Sequence, residues 1–306
     1  MKKASKKRIV SIVVTYNRKK LLKESIESLL ESETPCDILI VDNNSTDNTY
    51  EYISKYIGDN VIYKNTGKNL GGAGGFNYGM KEAIKLGYSY LWLMDDDVIV
   101  NKDSLTKIMD ADKALNGNYG FLSSKVYFTD GNLCRMNRQK FVNDWTPSEL
   151  HIKNNLYKTN YATFVSFFTK KTVVEKVGLP IKEFFIWGDD IEYTNRISKE
   201  YENYVVMNSK VTHKTKTNTG SDISRDDERL DRYKYAYRNE MYIARKNGLK
   251  GVGRYLLKIN LHICRVIVHS KGNKFKKIRI IIGNMLKGIK FNPKIEYIGG
   301  KHAKED

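Results

Sequence analysis

Three consecutive carboxylates, Asp95-Asp96-Asp97, end the apolar run Leu91-Trp92-Leu93-Met94. The run belongs inside a sheet, and the acids cannot follow it there, so they emerge at the strand's end beside a cleft. Three acids this close repel one another unless a cation sits among them. Residues two apart on an extended chain face the same way, so Asp95 and Asp97 can share one hard divalent cation while Asp96 points elsewhere. His213 offers a nitrogen to the same cation, a donor set that suits Mn2+ or Mg2+. A second acid cluster, Asp189-Asp190-Ile191-Glu192, follows an aromatic run and Gly188 and opens a predicted helix. Acids are favourable in a first helical turn on electrostatics alone. Set apart from the cation site, they also suit a general base that takes the proton of an attacking hydroxyl while the metal acts as Lewis acid on a departing diphosphate.

The elements before the triplet explain how it is placed. Ile9–Thr15 is a β-branched run that reads as a buried first strand, and Leu22, Ile26, Leu29 and Leu30 recur at helical spacing. Residues 36–41 form a second strand that ends in the polar loop 42–47, followed by a helix over about 49–57 and a short strand at 61–63. Four glycines in residues 71–75 allow close backbone approach, with a helix expected from about Gly75 to Leu86. This alternation predicts a parallel sheet with helices on both faces, whose ligands sit at the carboxyl ends of the strands. Thr15, Asp42 and Asp95–Asp97 all fall on that rim. Later expectations are a helix at 103–115, a strand at 120–128, an irregular stretch at 129–158 and a strand at 161–169. A helix at 170–177, a helix from 189 to about 200, a strand at 204–207 and a polar helix within 222–248 complete the reading.

The net charge of +18 is terminal. Residues 1–8 hold five basic residues and no acid; residues 241–306 hold 16 Lys/Arg against three acids, and residues 9–240 are neutral overall. A basic stripe across the domain, the mark of a nucleic-acid enzyme, is therefore missing, and no nucleic-acid partner is expected. A basic tail carrying apolar residues fits an anionic membrane surface. Tyr255, Leu256, Ile259, Ile263, Val266 and Ile267 form one helical stripe, and Ile278, Ile281, Ile282, Met285, Leu286 and Ile289 a second. Each stripe could either pack on the main domain or bind a membrane. The three cysteines lie far apart with no CxxC pair, which argues against thiolate zinc and leaves the reducing cytosol as the default. No signal peptide and no spanning helix are expected.

Together these motifs resemble family 2 glycosyltransferases of the GT-A fold, over roughly residues 9–245. The carriers are Val13-Val14-Thr15-Tyr16-Asn17-Arg18, Val41-Asp42-Asn43-Asn44-Ser45-Thr46-Asp47, the Asp triplet and Trp187-Gly188-Asp189-Asp190-Ile191-Glu192-Tyr193. Asn69-Leu70-Gly71-Gly72-Ala73-Gly74-Gly75-Phe76 and Tyr237-Arg238-Asn239 narrow the resemblance to bacterial galactofuranosyltransferases, with rhamnosyltransferases as near relatives. The resemblance implies a Rossmann-like, mostly parallel α/β sheet with C-terminal basic amphipathic helices. The expected division is a basic tail at 1–8, a catalytic domain at 9–245 and a helical extension at 246–306. It implies inverting transfer from UDP-galactofuranose to a lipid-linked cell-surface glycan, by one or two additions, at the inner face of the cell membrane. Thr15 and Asp42 would hold the base, with Asn17, Arg18, Asn69, Gly71, Gly72 and Asp96 also on the donor. Asp95, Asp97 and His213 would hold the metal. Asp190 would be the base, and Trp187, Asp189 and Glu192 would shape the acceptor side. The competing classes are a non-catalytic nucleotide-sugar-binding protein and a nucleotidyltransferase. Thr15-Tyr16-Asn17-Arg18 stands where the latter would carry a Gly-rich, basic loop.

Overall fold

The structure, a computed structural model, describes residues 8–299. The expected basic tail at 1–8, apart from Arg8, lies outside the described residues, as do residues 300–306 of the extension. In chain order the first half holds β1 (Ile9–Thr15), α1 (Lys19–Leu30), β2 (Asp37–Asp42), α2 (Thr49–Ile53), β3 (Val61–Asn65), α3 (Gly71–Lys85), β4 (Tyr90–Asp95), β5 (Val98–Val100) and α4 (Ser104–Ala114). Then come β6 (Phe121–Tyr127), α5 (Glu149–Lys153), β7 (Leu156–Lys158), β8 (Phe167–Lys170), α6 (Lys171–Val177), α7 (Asp189–Ile197) and β9 (Tyr204–His213). Three helices close the chain: α8 (Leu230–Lys246), α9 (Gly248–His269) and α10 (Lys274–Lys290).

Apolar residues stand on both faces of the central strands, because both faces are covered. Val10, Ile12 and Val14 with Leu39, Val41, Leu91 and Leu93 pack under α3, α6 and α7. Val13 with Ile38, Ile40, Trp92 and Met94 packs under α1, α2 and α4. The two-residue alternation of the strands sorts the side chains between these layers. The strand order is β3-β2-β1-β4-β8-β6-β9-β5, with β7 added on β9. Strands β1, β2, β3, β4, β6 and β9 run one way, and β5, β7 and β8 run against them.

Several elements differ from expectation. Helix α3 starts at Gly71, not near Gly75, so the glycines lie inside it. A Cβ at Gly75 would stand 2.5 Å from Val14 Cγ1, and one at Gly79 2.6 Å from Ile12 Cγ2. Tight packing of the helix on the sheet therefore accounts for those two glycines. Strand β9 runs on to His213, well past 207, and the expected strand at 161–169 is ordered as β8 only from Phe167. The stretch 129–158 holds α5 and β7. Helices α8, α9 and α10 share one cluster, including Tyr237, Met241, Tyr255, Ile259, Val266 and Ile281. The position 245/246 of the expected division lies in the last turn of α8, which packs with α9 and α10.

Candidate active site

Strand register builds the first half of the site. Thr15 pairs with Asp42, and Val14 with Asp95, so the loops after β1, β2 and β4 leave the sheet side by side. Thr15 Oγ1 donates to Asp96 Oδ2 at 2.7 Å. The Arg18 guanidinium donates to Asp97 Oδ2 at 2.6 Å and reaches Asp96 Oδ1 at 3.3 Å. His213 arrives through the last ladder. Strand β5 directly follows the triplet and pairs antiparallel with β9, which puts Val98 opposite His213. The Lys214 N–H also donates to the Asp97 carbonyl at 2.8 Å. Asp95, Asp97 and His213 each present a ligand atom within 4.8 Å of the other two.

The charge states follow from these neighbours. Burial, then repulsion from Asp97, raises Asp95 to about 7. Burial raises Asp96 to about 6 despite Arg18. Burial acts on Asp97 in the same direction, but His213 and Arg18 overcome it and hold that carboxyl below its ordinary value. Burial would lower His213, yet Asp97 and Asp95 push it up to about 10. Asn137 Oδ1 lies 2.7 Å from His213 Nδ1, and it also accepts from Cys134 Sγ at 3.1 Å. An amide oxygen fixes the proton on Nδ1 and turns Nε2 toward the acids, the arrangement a histidine ligand requires. Asp97 Oδ1 is buried and, although 2.9 Å from His213 Nε2, makes no hydrogen bond of acceptable geometry. Two carboxylates, one of them with an orphaned buried oxygen, and one imidazole fit a divalent cation.

The second acid cluster sits on a strained support. Phe185, Trp187 and Gly188 all have positive φ (64°, 63° and 90°). For Phe and Trp that conformation costs about 1–3 kcal/mol each and persists only where the surroundings enforce it. The enforcer is Asn239, fully buried on α8, whose Nδ2 donates to the carbonyls of Phe184 at 2.9 Å and Trp187 at 2.8 Å. Arg238 returns 3.1 and 2.9 Å hydrogen bonds to Asn239 Oδ1. From the other side the Ala73 N–H donates to the Phe185 carbonyl at 3.1 Å. Gly71, at φ 71°, has no room for a Cβ against that same carbonyl. The loop so held starts α7 with Asp189 and Asp190. Asp190 Oδ1 accepts from the Ile191 N–H at 2.7 Å, and the Tyr161 hydroxyl faces the same carboxyl. Burial raises Asp190 to about 6. Asp189 rises well above its ordinary value through burial, then Asp190, with a contribution from Asp95.

The remaining candidates divide. Asp42 takes the Tyr63 hydroxyl on Oδ2 and the Ser45 N–H on Oδ1 at 2.8 Å. Asn17, at φ 54°, ties its loop to the next: its Oδ1 accepts from the Thr46 N–H at 2.7 Å. Asn69 Oδ1 accepts from the Gly71 N–H at 2.8 Å, while Gly72 faces open space. The Trp187 ring packs edge-on to Tyr233 with centroids 5.0 Å apart. Glu192 does not join the acid pair, because both its oxygens bind Arg196, at 2.9 and 2.8 Å. Arg196 in turn caps the carbonyls of Val177 and Leu179. Sequence reasoning missed Asn137, Tyr161 and the role of Asn239; only Asn239 carried a signal, its place in the Tyr-Arg-Asn motif. Burial, then the charges of Arg18 and Arg229, push Arg232 below its ordinary value.

Comparisons with known proteins identify the family and the fold. Residues 11–178 match the family described as Glycosyl transferase family 2. The galactofuranosyltransferase GlfT1 of Mycolicibacterium smegmatis is 36% identical over 92 residues, 29% of this chain and 30% of the relative. The match thus spans less than a third of that protein's length. Staphylococcal TarS (S. aureus, residues 1–349, in complex with UDP-GlcNAc) superimposes with a TM-score of 0.52 and 16% identity, over 93% of this chain and 73% of that one. GalNAc-T7 with UDP, GalNAc and Mn2+ gives 0.58 and 13%, over 79% and 48%. These structural likenesses show the fold, a GT-A arrangement of mostly parallel sheet and flanking helices.

Proposed function

From the premise that the chain belongs to glycosyl transferase family 2, we propose that it transfers galactofuranose from UDP-galactofuranose, with inversion, to a hydroxyl of a lipid-linked cell-surface glycan such as a capsule, O-antigen or cell-wall polysaccharide. The observation that supports the reading is the donor set of Asp95, Asp97 and His213, each offering a ligand atom within 4.8 Å of the other two at the carboxyl end of β4. The identity to a galactofuranosyltransferase supports the sugar, and the nucleotide complexes of the structural neighbours support a UDP-linked donor.

In this reading Thr15 and Asp42 hold the base, and Asn17, Arg18, Asn69, Gly71, Gly72 and Asp96 surround the donor. Asp95, Asp97 and His213 hold Mn2+ or Mg2+, which when bound neutralises the diphosphate. To act as a ligand, His213 gives up its Nε2 proton. Asp190 takes the proton of the acceptor hydroxyl; the freed oxygen attacks the anomeric carbon from the face opposite the diphosphate, and the bond to UDP breaks. Asp189 and Trp187 shape the acceptor side. Glu192, committed to Arg196, braces α7 instead. The acceptor's lipid places the work at the anionic inner face of the membrane, with the catalytic domain at 9–245 and the extension at 246–306 as its membrane-facing part.

A donor panel tests the reading: UDP-galactofuranose, UDP-galactopyranose and dTDP-rhamnose, each with Mn2+ and with chelator. Cation-dependent transfer from UDP-galactofuranose alone is the expected result. Transfer from dTDP-rhamnose makes the chain a rhamnosyltransferase, and donor binding without transfer to any acceptor makes it a binding protein.

A further inference from the structure

Helices α9 and α10 bury one face each and leave the other bare. Tyr255, Ile259 and Val266 face α8 and α10. On the outer side of α9, Leu249 is 92%, Leu257 68%, Leu261 60% and Val268 71% exposed. Leu257, Leu261 and Val268 are spaced four and seven residues apart and so share one helical face. The first turn of α10 adds Phe275, 91% exposed. Half of the large hydrophobic side chains exposed among the described residues fall between Leu249 and Ile289. A concentration of this kind marks an interaction surface rather than ordinary surface scatter.

The surrounding charge says what covers it. No Asp or Glu occurs between Glu240 and Glu296, while the same stretch holds 14 Lys/Arg. Lys258 pairs with Glu240 and Lys277 with Asp227. Arg254, Arg265, Lys276, Arg279 and Lys287 form no salt bridge among the described residues. A second copy of the chain would bring two acid-free cationic faces together, which like-charge repulsion opposes. An anionic lipid surface offers both partners at once, phosphate for the cations and hydrocarbon for the leucines. No described helix is long and apolar enough to cross a membrane. We propose that the outer face of α9, with the turn to Phe275 and the cations of α10, is a docking surface for an anionic bilayer, α9 lying in the plane of the interface. This deepens the membrane partner of the functional reading by giving it a site. One helix, α8, then connects the membrane to the loop that carries Asp189 and Asp190, through Asn239.

The test is co-sedimentation of the full chain with vesicles of phosphatidylcholine alone or with phosphatidylglycerol, without donor or acceptor, so that a failure of the sugar-transfer reading leaves it untouched. The wild type should bind the anionic vesicles and lose them as salt rises. Leu257→Asp with Leu261→Asp should weaken binding by at least about tenfold. Arg254→Gln and Arg279→Gln should each weaken it by about fivefold and flatten the salt dependence. An unchanged melting temperature verifies the fold of each variant. Equal partition to neutral and anionic vesicles, or full binding by the double Asp variant, overturns the proposal. So does a wild-type dimer that this variant dissolves without affecting vesicle binding, since the face would then belong to a second copy.

Discussion

The two acid clusters are similar in composition and opposite in treatment. The triplet at the end of β4 is met by the protein's own cations: Arg18 and His213 both reach Asp97, and Thr15 donates to Asp96. The pair at the start of α7 has no cationic side chain bound to it among the described residues, only an amide N–H and a phenol. Burial raises carboxyls in both places, but only in the first does opposite charge pull one of them, Asp97, below its ordinary value. Asp97, met by positive charge, stays ionised and suits a cation; Asp190, poorly solvated and without a cationic partner among the described residues, becomes a proton acceptor near neutral pH. In the proposed mechanism the same residue type takes two tasks because its surroundings differ.

Replacing one carboxylate of each cluster is the strongest way to break this division. Asp190→Asn should lower turnover by about a thousandfold with UDP affinity unchanged, measured by product formation and by calorimetric titration; full turnover would move the base elsewhere. Asp97→Asn should reduce Mn2+ affinity and turnover by about a hundredfold, and excess Mn2+ should restore part of the activity. The Asp190 variant should show no such rescue. If both variants responded alike to Mn2+, the contrast between the clusters would disappear.

A pH profile sharpens the comparison further. A base must be ionised to accept a proton, and Asp190 sits at about 6. Turnover should therefore fall about tenfold per pH unit below 6 and level off above it, while donor binding stays less steep. Asn239→Ala removes the donor held by the Phe184 and Trp187 carbonyls; it should lower turnover by about tenfold and stability by about 1–3 kcal/mol, read by denaturant unfolding. The smallest effect belongs to Glu192→Gln, which should change turnover by less than about threefold while lowering the melting temperature, because it disturbs only the Arg196 brace. A larger loss of acceptor affinity would return Glu192 to the acceptor side.

The sequence disclosed those parts whose environment is uniform along the chain. Strands β1, β2 and β4 are buried on both faces and so read as unbroken apolar runs, and their ends located the rim. The triplet and the pair were legible because acids at the edge of such runs have no packing purpose. Other features depend on partners distant in sequence. The start of α3 was misplaced because glycines that signal a loop locally are required by Ile12, Val14 and Phe185. The far half of β9 was missed because Asn208-Ser209-Lys210 interrupts its pattern, where pairing with β6 shifts register. Asn137 and Tyr161 lie in segments without periodicity, so nothing local marks them. Glu192 belongs to a motif by spacing, and only its i+4 neighbour Arg196 shows where its charge goes.

The β5–β9 ladder also determines which changes the protein can absorb. Asp97 and His213 meet because Val98 stands opposite His213, and from the intervening chain Asn137 turns the ring. Segments looping out between the two strands can therefore lengthen, shorten or diverge without moving the candidate ligands, provided Asn137 keeps its place. A single residue inserted within β9 itself would turn His213 to the opposite face of the sheet and abolish the site at once. Diversification of this scaffold has an open channel through its loops and a closed one through two short strands.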